Sequence, residues 1–323
     1  MVEIGSAGVL AAGKWRWPRS LAWLAFLCVA IVLVFNATAR ATLYLIAWAN
    51  GGPLASAAGA PVGSKLAGAV AGSIALIATY WIAVRIGERR DVPELSLRQG
   101  PFEVSAGLAL GAAAMAAIVG ALWLSGWATI QAKSIDSVAL ALRDSIRSGV
   151  LEELVLRLVV FRLLWRAFGI WPALTVSPLV FGALHLANPD SGLFPAACLV
   201  AGEGIGIGLY LITGRIWAAM GMHAGWNFTQ GWIFGAAVSG TSEIAGGPLV
   251  LRPAKDVPDL LSGGGFGPEA SLAALVVSLL ASTVLLTIAW KRGGFEPAQK
   301  SEAGRPQPSE YELVLPPALP SQI

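Results

Sequence analysis

Charged side chains are scarce in this sequence. Only 13% of its 323 residues are charged and 56% are hydrophobic, whereas a soluble domain carries about 25% charged residues. This scarcity excludes an ordinary soluble domain. The basic residues lie beside apolar runs rather than in a stripe, so we expect no nucleic-acid partner. Several apolar runs reach the roughly 20 residues that an α-helix needs to cross a bilayer, and the sequence therefore predicts an integral membrane protein.

Cysteine is almost absent, and strand-like alternation is missing from the apolar runs. Cys28 and Cys198 each lie inside an apolar run, so neither a disulfide framework nor a paired cysteine metal site is expected. Barrel strands alternate strictly between apolar and polar residues. A lipid-exposed backbone without that pattern satisfies its hydrogen bonds within helices. We predict an all-α, polytopic membrane protein with about eight transmembrane helices.

The sequence predicts eight spans, which fall with their flanking segments into four parts of the chain. The spans lie at about 20–38, 66–86, 104–125, 148–168, 171–187, 193–213, 215–238 and 271–290. Basic residues flank alternate ends of these spans, so the positive-inside rule places both termini in the cytoplasm and the protein in the cell membrane. The predicted parts are 1–146 (three helices and an interfacial segment), 147–238 (a catalytic core of four helices), 239–292 (an external loop and the last helix) and 293–323 (a disordered, proline-rich cytoplasmic tail).

The interfacial segment covers about 126–147. Its polar and apolar residues recur at helical spacing, which is typical of a helix lying along the membrane surface. An ordinary solvated helical loop is the alternative.

Glu152, Glu153 and Arg157 lie inside an otherwise apolar stretch, SGVLEELVLRLVVFRLLW. An ionisable residue in a membrane helix costs at least a few kcal/mol and indicates a functional site. Glu153 and Arg157 are four residues apart, so they share a helix face and can form an ion pair. Glu152 points about 100° away and is left without a cation, which suits a general base or acid. Mutual neutralisation of the three charges is the structural alternative.

Both histidines of the chain lie at membrane depth beside an asparagine. His185 precedes Asn188 in HLAN, and His223 shares a helix face with Asn227 in HAGWN. A single histidine in a span is usually a packing residue. Because both histidines of the chain lie in predicted spans, the sequence favours a functional site. Glu203, in AGEGIGIG, is interpreted as a carboxyl hydrogen-bonded across a tight helix contact, with orientation of a histidine as the alternative.

Glutamate and two histidines leave two hydrolytic chemistries open. In one, Glu152, His185 and His223 hold a zinc ion whose open position binds and activates water. In the other, Glu152 and His185 activate water directly, while His223 and Asn227 donate hydrogen bonds to the oxyanion. The sequence contains no HExxH or GxSxG motif, so the familiar zinc-protease helix and the serine nucleophile elbow are absent.

Three short motifs resemble those of a known family. EELVLR at 152–157, FGALH at 181–185 and HAGWN at 223–227 resemble the EExxxR, FxxxH and HxxxN motifs of the CPBP family, the CAAX proteases and bacteriocin-processing enzymes also called Abi. The resemblance covers roughly 147–231. Leu156 and Leu158 depart from the family's usual aromatic and glycine, and both are packing positions.

The resemblance implies an α-helical intramembrane metalloprotease that cleaves a membrane-associated peptide or protein. By motif position, Glu152 is the catalytic carboxylate, His185 its partner, and His223 with Asn227 the second catalytic pair. Glu153 and Arg157 support them, and we add Asn188 and Glu203 as supporting residues. Zinc is left open. A non-catalytic scaffold or regulator of the same fold is the alternative function, and a proton-coupled transporter is a weaker one.

Overall fold

The structure, a computed structural model, describes residues 1–53, 56–135, 138–242 and 246–297. Helices dominate these ranges. They are α1 (Arg16–Ala49), α2 (Val62–Ala83), α3 (Gly100–Leu124), α4 (Ala139–Glu153), α5 (Arg162–Phe168), α6 (Ile170–Leu184), α7 (Leu193–Thr213), α8 (Trp217–Phe228), α9 (Asp259–Ser262) and α10 (Leu272–Lys291). Two strands, β1 (Ala128–Ala132) and β2 (Leu249–Pro253), pair antiparallel. The all-α, polytopic class is confirmed.

Three π-helical segments interrupt or extend the helices. They are Val84–Glu88 after α2, Leu154–Phe161 between α4 and α5, and Thr229–Ile233 after α8. Such wider turns occur frequently at functional sites. Here each begins or ends within a few residues of a buried polar side chain: Glu88, Glu153 and Asn227 respectively.

Among the described residues, six helices are long and apolar enough to cross a membrane. They correspond to predicted spans one, two, three, five, six and eight. The first was predicted too short, since α1 has 34 residues and extends about 51 Å at 1.5 Å per residue. Asn36 and Arg40 interrupt its apolar run, and the helix continues through both; the Asn36 side chain donates to the Val32 carbonyl.

Predicted spans four and seven are helical, but neither is among the six helices that are long and apolar enough to cross a membrane. Residues 139–168 form one continuous helical rod through the π segment, which we call the site helix, and it contains eight charged residues. Residues 217–233 form a shorter rod. The site helix carries Glu152, Glu153 and Arg157, and the shorter rod carries His223 and Asn227. These two helical segments, which do not qualify as apolar spans, therefore hold most of the candidate site.

Two predicted segments need correction. The interfacial helix at about 126–147 is wrong in its first part, because residues 128–132 form β1 and pair with residues about 120 positions later in the chain. Its last part belongs to α4. The segment 239–270, predicted as an external loop, instead contains β2 and α9 and packs against the helices. Residues 298–323 of the predicted tail lie outside the described residues.

Small residues bring α3 and α8 into close contact. Gly107 and Gly111 on α3 face backbone atoms of α8, and Gly221 and Gly225 on α8 face backbone atoms of α3. A Cβ at Gly221 would lie 2.3 Å from the Val104 carbonyl oxygen, which no side chain tolerates. This four-residue spacing of glycines is typical of tight packing between membrane helices. It fixes the rod that carries His223.

A buried ionic cluster holds the C-terminal part of the site helix. Arg162 donates to both carboxylate oxygens of Glu88, at 2.7 and 2.8 Å, and Arg90 bridges Glu88 to Glu94. Trp23 donates to Glu88 as well. The side chains of Arg162 and Glu88 are fully buried, so each carries a large desolvation cost that only the other charges offset. The cluster anchors the site helix to α1 and to the end of α2.

We expect Arg162→Met to destabilise the fold by roughly 3–5 kcal/mol, because it leaves buried carboxylates short of a cation. The matched control is Arg85→Met. Arg85 pairs with Asp91 at the surface, where an ion pair contributes at most about 1 kcal/mol. Thermal unfolding of both variants in detergent provides the comparison. A similar loss for the two variants would contradict the anchoring role.

Candidate active site

All eight site residues predicted from the sequence line one cavity. It has a volume of about 400 Å³ and lies between the site helix, α6, α7 and the rod containing α8. The residues are Glu152, Glu153, Arg157, His185, Asn188, Glu203, His223 and Asn227. The structure therefore brings together side chains that are up to 75 positions apart in sequence.

The adjacent glutamates face different surroundings. The Glu153 side chain is fully buried and pairs with Arg157, with Oε2 and Nε 3.0 Å apart. The Glu152 side chain is 28% exposed and borders the cavity. Glu153 thus pairs with Arg157, whereas Glu152 has no arginine partner in the described part of the chain and faces His223. The π segment starts at Leu154, immediately after this pair.

Glu203 supplies the second partner of Arg157. The guanidinium lies 3.0 Å from each carboxylate oxygen of Glu203, in a two-point contact between the site helix and α7. Glu203 thus lies at a contact between two helices, as its interpretation from the sequence describes. Gly206 provides the space, because a Cβ there would lie 2.1 Å from Nη2 of Arg157. The sequence did not identify Arg157 as the partner, since the two residues are 46 positions apart.

His223 lies between the two glutamates. Its Nδ1 is 2.8 Å from Oε1 of Glu153, and its Nε2 is 3.8 Å from Oε2 of Glu152. An ionised carboxylate only accepts, so Nδ1 carries a hydrogen and donates it to Glu153. Nε2 faces Glu152 across the cavity.

His185 has different partners. Its Nδ1 donates to the Phe181 carbonyl at 2.9 Å, and its ring packs on that of Phe181 with centroids 4.4 Å apart. Within the described part of the chain, no hydrogen bond or ion pair joins His185 to Glu152. The histidine nearest to Glu152 in this geometry is His223, whereas the sequence paired Glu152 with His185.

Ser148 is a site residue that sequence reasoning missed. Its hydroxyl donates to the Asp144 carbonyl and accepts from Nδ2 of Asn227, both at 2.9 Å. Because the hydroxyl hydrogen is already used, the amide must turn its NH₂ group toward Ser148. One N–H of Asn227 then remains for a ligand. The available signal was spacing, since Ser148 precedes Glu152 by one helical turn.

The segment predicted as an external loop closes one side of the cavity. Asn188 donates to the Ser239 carbonyl at 2.9 Å, and Glu269 accepts from the Ser239 backbone and from Trp226. Ser239 and Glu269 both line the cavity. These contacts join the turn after His185 to the rod that carries His223, and no motif in the sequence pointed to Glu269.

The side chains at the site are of the types that bind zinc, but they are not arranged to hold an ion together. Two imidazoles and a carboxylate are a common catalytic zinc set, and each histidine here engages its Nδ1 with an oxygen, as ligating histidines do. However, among the described residues no three His, Cys, Asp or Glu side chains converge closely enough to hold a metal ion.

Comparison with known proteins points to one family. Residues 134–229 match the model of a family described as type II CAAX prenyl endopeptidase, Rce1-like. The resemblance to the CAAX proteases is confirmed. The matched segment contains the three motifs, Ser148 and Glu203, whereas Ser239 and Glu269 lie beyond it. No curated protein and no solved structure matched the chain.

We expect Gly206→Ala to destabilise the protein by roughly 1–3 kcal/mol, the usual cost of overpacking a filled interior. The added methyl group would displace the Arg157 guanidinium from Glu203. Gly202→Ala, one turn earlier on α7, is the matched control because its Cβ would lie 3.6 Å from the Ser278 hydroxyl, an ordinary contact. Thermal unfolding in detergent compares the two, and equal midpoints would rule out the tight fit at Gly206.

Proposed function

We propose that this protein is an intramembrane endopeptidase that hydrolyses a peptide bond of a membrane-associated protein or peptide. The family match supports a peptidase of the CAAX-protease type. The multi-pass fold supports a substrate that reaches the site at or within the bilayer. The reacting groups in this proposal are Glu152, His185, His223 and Asn227.

One observation carries the proposal. Oε2 of Glu152 and Nε2 of His223 lie 3.8 Å apart. In this proposal the reacting form of His223 is the neutral ring with its hydrogen on Nδ1, so both facing atoms are acceptors. A water molecule between them satisfies both acceptors with its two hydrogens, and a polar gap of this width is suited to one. The water oxygen then keeps its lone pairs free to attack a carbonyl carbon.

The chemistry follows from this arrangement. Glu152 takes a proton from the water while the water oxygen bonds to the carbonyl carbon of the substrate. The free N–H of Asn227 donates to the oxyanion that forms on the carbonyl oxygen. The C–N bond then breaks while the leaving nitrogen receives the proton from Glu152. Glu153 holds the His223 ring in one tautomer, and Arg157 with Glu203 holds Glu153 in place.

His185 is proposed to bind the substrate on the side of the cavity formed by α6. Its ring orientation is held by the Phe181 carbonyl. In this proposal His223 rather than His185 shares the water with Glu152, which exchanges the roles that the sequence suggested for the two histidines.

We also propose the cell membrane as the location, with both termini cytoplasmic. Lys14, Arg16, Arg19, Arg166 and Arg292 support this orientation, because basic residues concentrate on the cytoplasmic side. The N-terminal segment packs against the Arg166 end of the site helix, which brings most of these residues to one end of the molecule.

We expect Glu152→Gln to lower kcat for cleavage by about 10²–10⁴-fold, the usual contribution of a general base. The assay uses purified protein in detergent with a library of lipidated and unmodified peptides. Asp256→Asn is the matched control, because it also converts a carboxylate to an amide but at an exposed position outside the cavity. Equal cleavage by Glu152→Gln and wild type would refute the assignment of the base. If the wild type cleaves no peptide, the scaffold alternative is favoured.

We expect cleavage to persist after treatment with a zinc chelator, because direct activation of water by Glu152 needs no metal ion. The measurement is kcat/KM before and after chelation, followed by zinc addition. Loss of activity that zinc restores would show instead that Glu152, His185 and His223 come together on a metal ion.

A further inference from the structure

Three arginines converge at the end of the molecule opposite to the loop at 238–241. Arg16 and Arg19 begin α1, and Arg166 lies near the end of the site helix. Arg16 donates to the Ala167 carbonyl at 3.1 Å. Arg166 and Arg19 donate to carbonyls of two consecutive residues, Leu10 and Ala11, at 2.8 and 2.9 Å. We call these three side chains the arginine trio.

The arginine trio lacks an acidic partner. Within the described ranges, none of its members forms an ion pair with a carboxylate, and the charges of Arg16 and Arg19 act repulsively on Arg166. Nε of Arg166 is buried without a hydrogen-bond partner. This contrasts with Arg157 and Arg162, each of which pairs with carboxylates.

The start of α1 adds to the positive potential. Its first turn contains no acidic residue, and Trp15 at the N-cap provides no side-chain cap. The backbone N–H groups of Arg16 and Arg19 donate to the Gly13 and Trp15 carbonyls, so what this helix end offers an anion is mainly the helix dipole. Arginine forks together with a helix N-terminus match the chemistry of a phosphate group.

Exposed tryptophans place the trio at the membrane surface. Trp15, Trp17, Trp171 and Trp290 are all more than half exposed, and Trp171 packs on Phe295, just beyond the end of α10. Tryptophan is enriched where the hydrocarbon core meets the headgroups. The phosphate groups of lipids lie at this depth.

We propose that Arg16, Arg19 and Arg166 form a binding site for a phosphate group, supplied by the headgroup of an anionic lipid. The bound phosphate neutralises the trio and joins the start of α1 to the end of the site helix. Because the same helix carries Glu152 and Glu153, lipid binding stabilises the element on which the cavity is built.

The test uses the full chain in nanodiscs of phosphatidylcholine, to which increasing fractions of phosphatidylglycerol are added. We expect the thermal midpoint of the wild type to rise with phosphatidylglycerol. Arg16→Gln/Arg19→Gln should need at least about tenfold more of the anionic lipid for the same rise, since two charged contacts are lost. Because the readout is the lipid-dependent shift, a lower starting midpoint does not affect it.

Two control variants distinguish binding at a defined site from a general effect of positive charge on the protein. Lys291→Gln/Arg292→Gln removes two exposed positive charges at the end of α10 and should respond like the wild type. If this variant loses the shift equally, or if phosphatidylglycerol does not shift the wild type, the proposal is wrong. Arg16→Gln alone, at an exposed side chain, should give an intermediate loss if the double variant does not fold.

Inorganic phosphate identifies the source of the anion. The wild type in neutral nanodiscs is titrated with inorganic phosphate over the millimolar range. We expect no shift comparable to that of the lipid. A full shift with inorganic phosphate, again lost in Arg16→Gln/Arg19→Gln, would overturn the lipid source and assign the site to a soluble phosphate.

Discussion

The contact on which the site depends is the guanidinium of Arg157 between Glu153 and Glu203. All three side chains are almost completely buried, and a buried charge is tolerated only when opposite charges and hydrogen bonds surround it. Arg157 therefore joins the site helix to α7. Through Glu153 it also orients His223 on α8, so one cation fixes three helices around the cavity.

The same constraint explains why the site helix is not an apolar span. From the cavity onward its charges occur at three levels: Glu152 and Glu153 with Arg157 at the cavity, Arg162 with Glu88 beyond it, and Arg166 near its end. At the first two levels buried carboxylates meet the arginines. At the last level they do not, which is the basis for inferring an anion supplied by the membrane.

Local patterns predicted much of the site. Four-residue spacing separated Glu153 and Arg157 from Glu152, because neighbours on a helix face are determined by the helix itself. The placement of both histidines in membrane segments selected α6 and α8 in the same way. The partners Glu203, Ser148 and Glu269 were missed or left unassigned as partners, because contacts between distant segments leave no periodic signal in a single sequence.

The sequence by itself determined the membrane class, the helices and the candidate side chains, because hydrophobicity and helical periodicity are properties of short stretches. Only the tertiary structure decided which histidine faces Glu152, which cation neutralises Glu203, and that the segment after Ser239 closes the cavity. It also decided that residues 128–132 form a strand, since a strand requires its partner. These outcomes depend on distances across the fold, which are set when buried charges and backbone groups find partners far away in the chain.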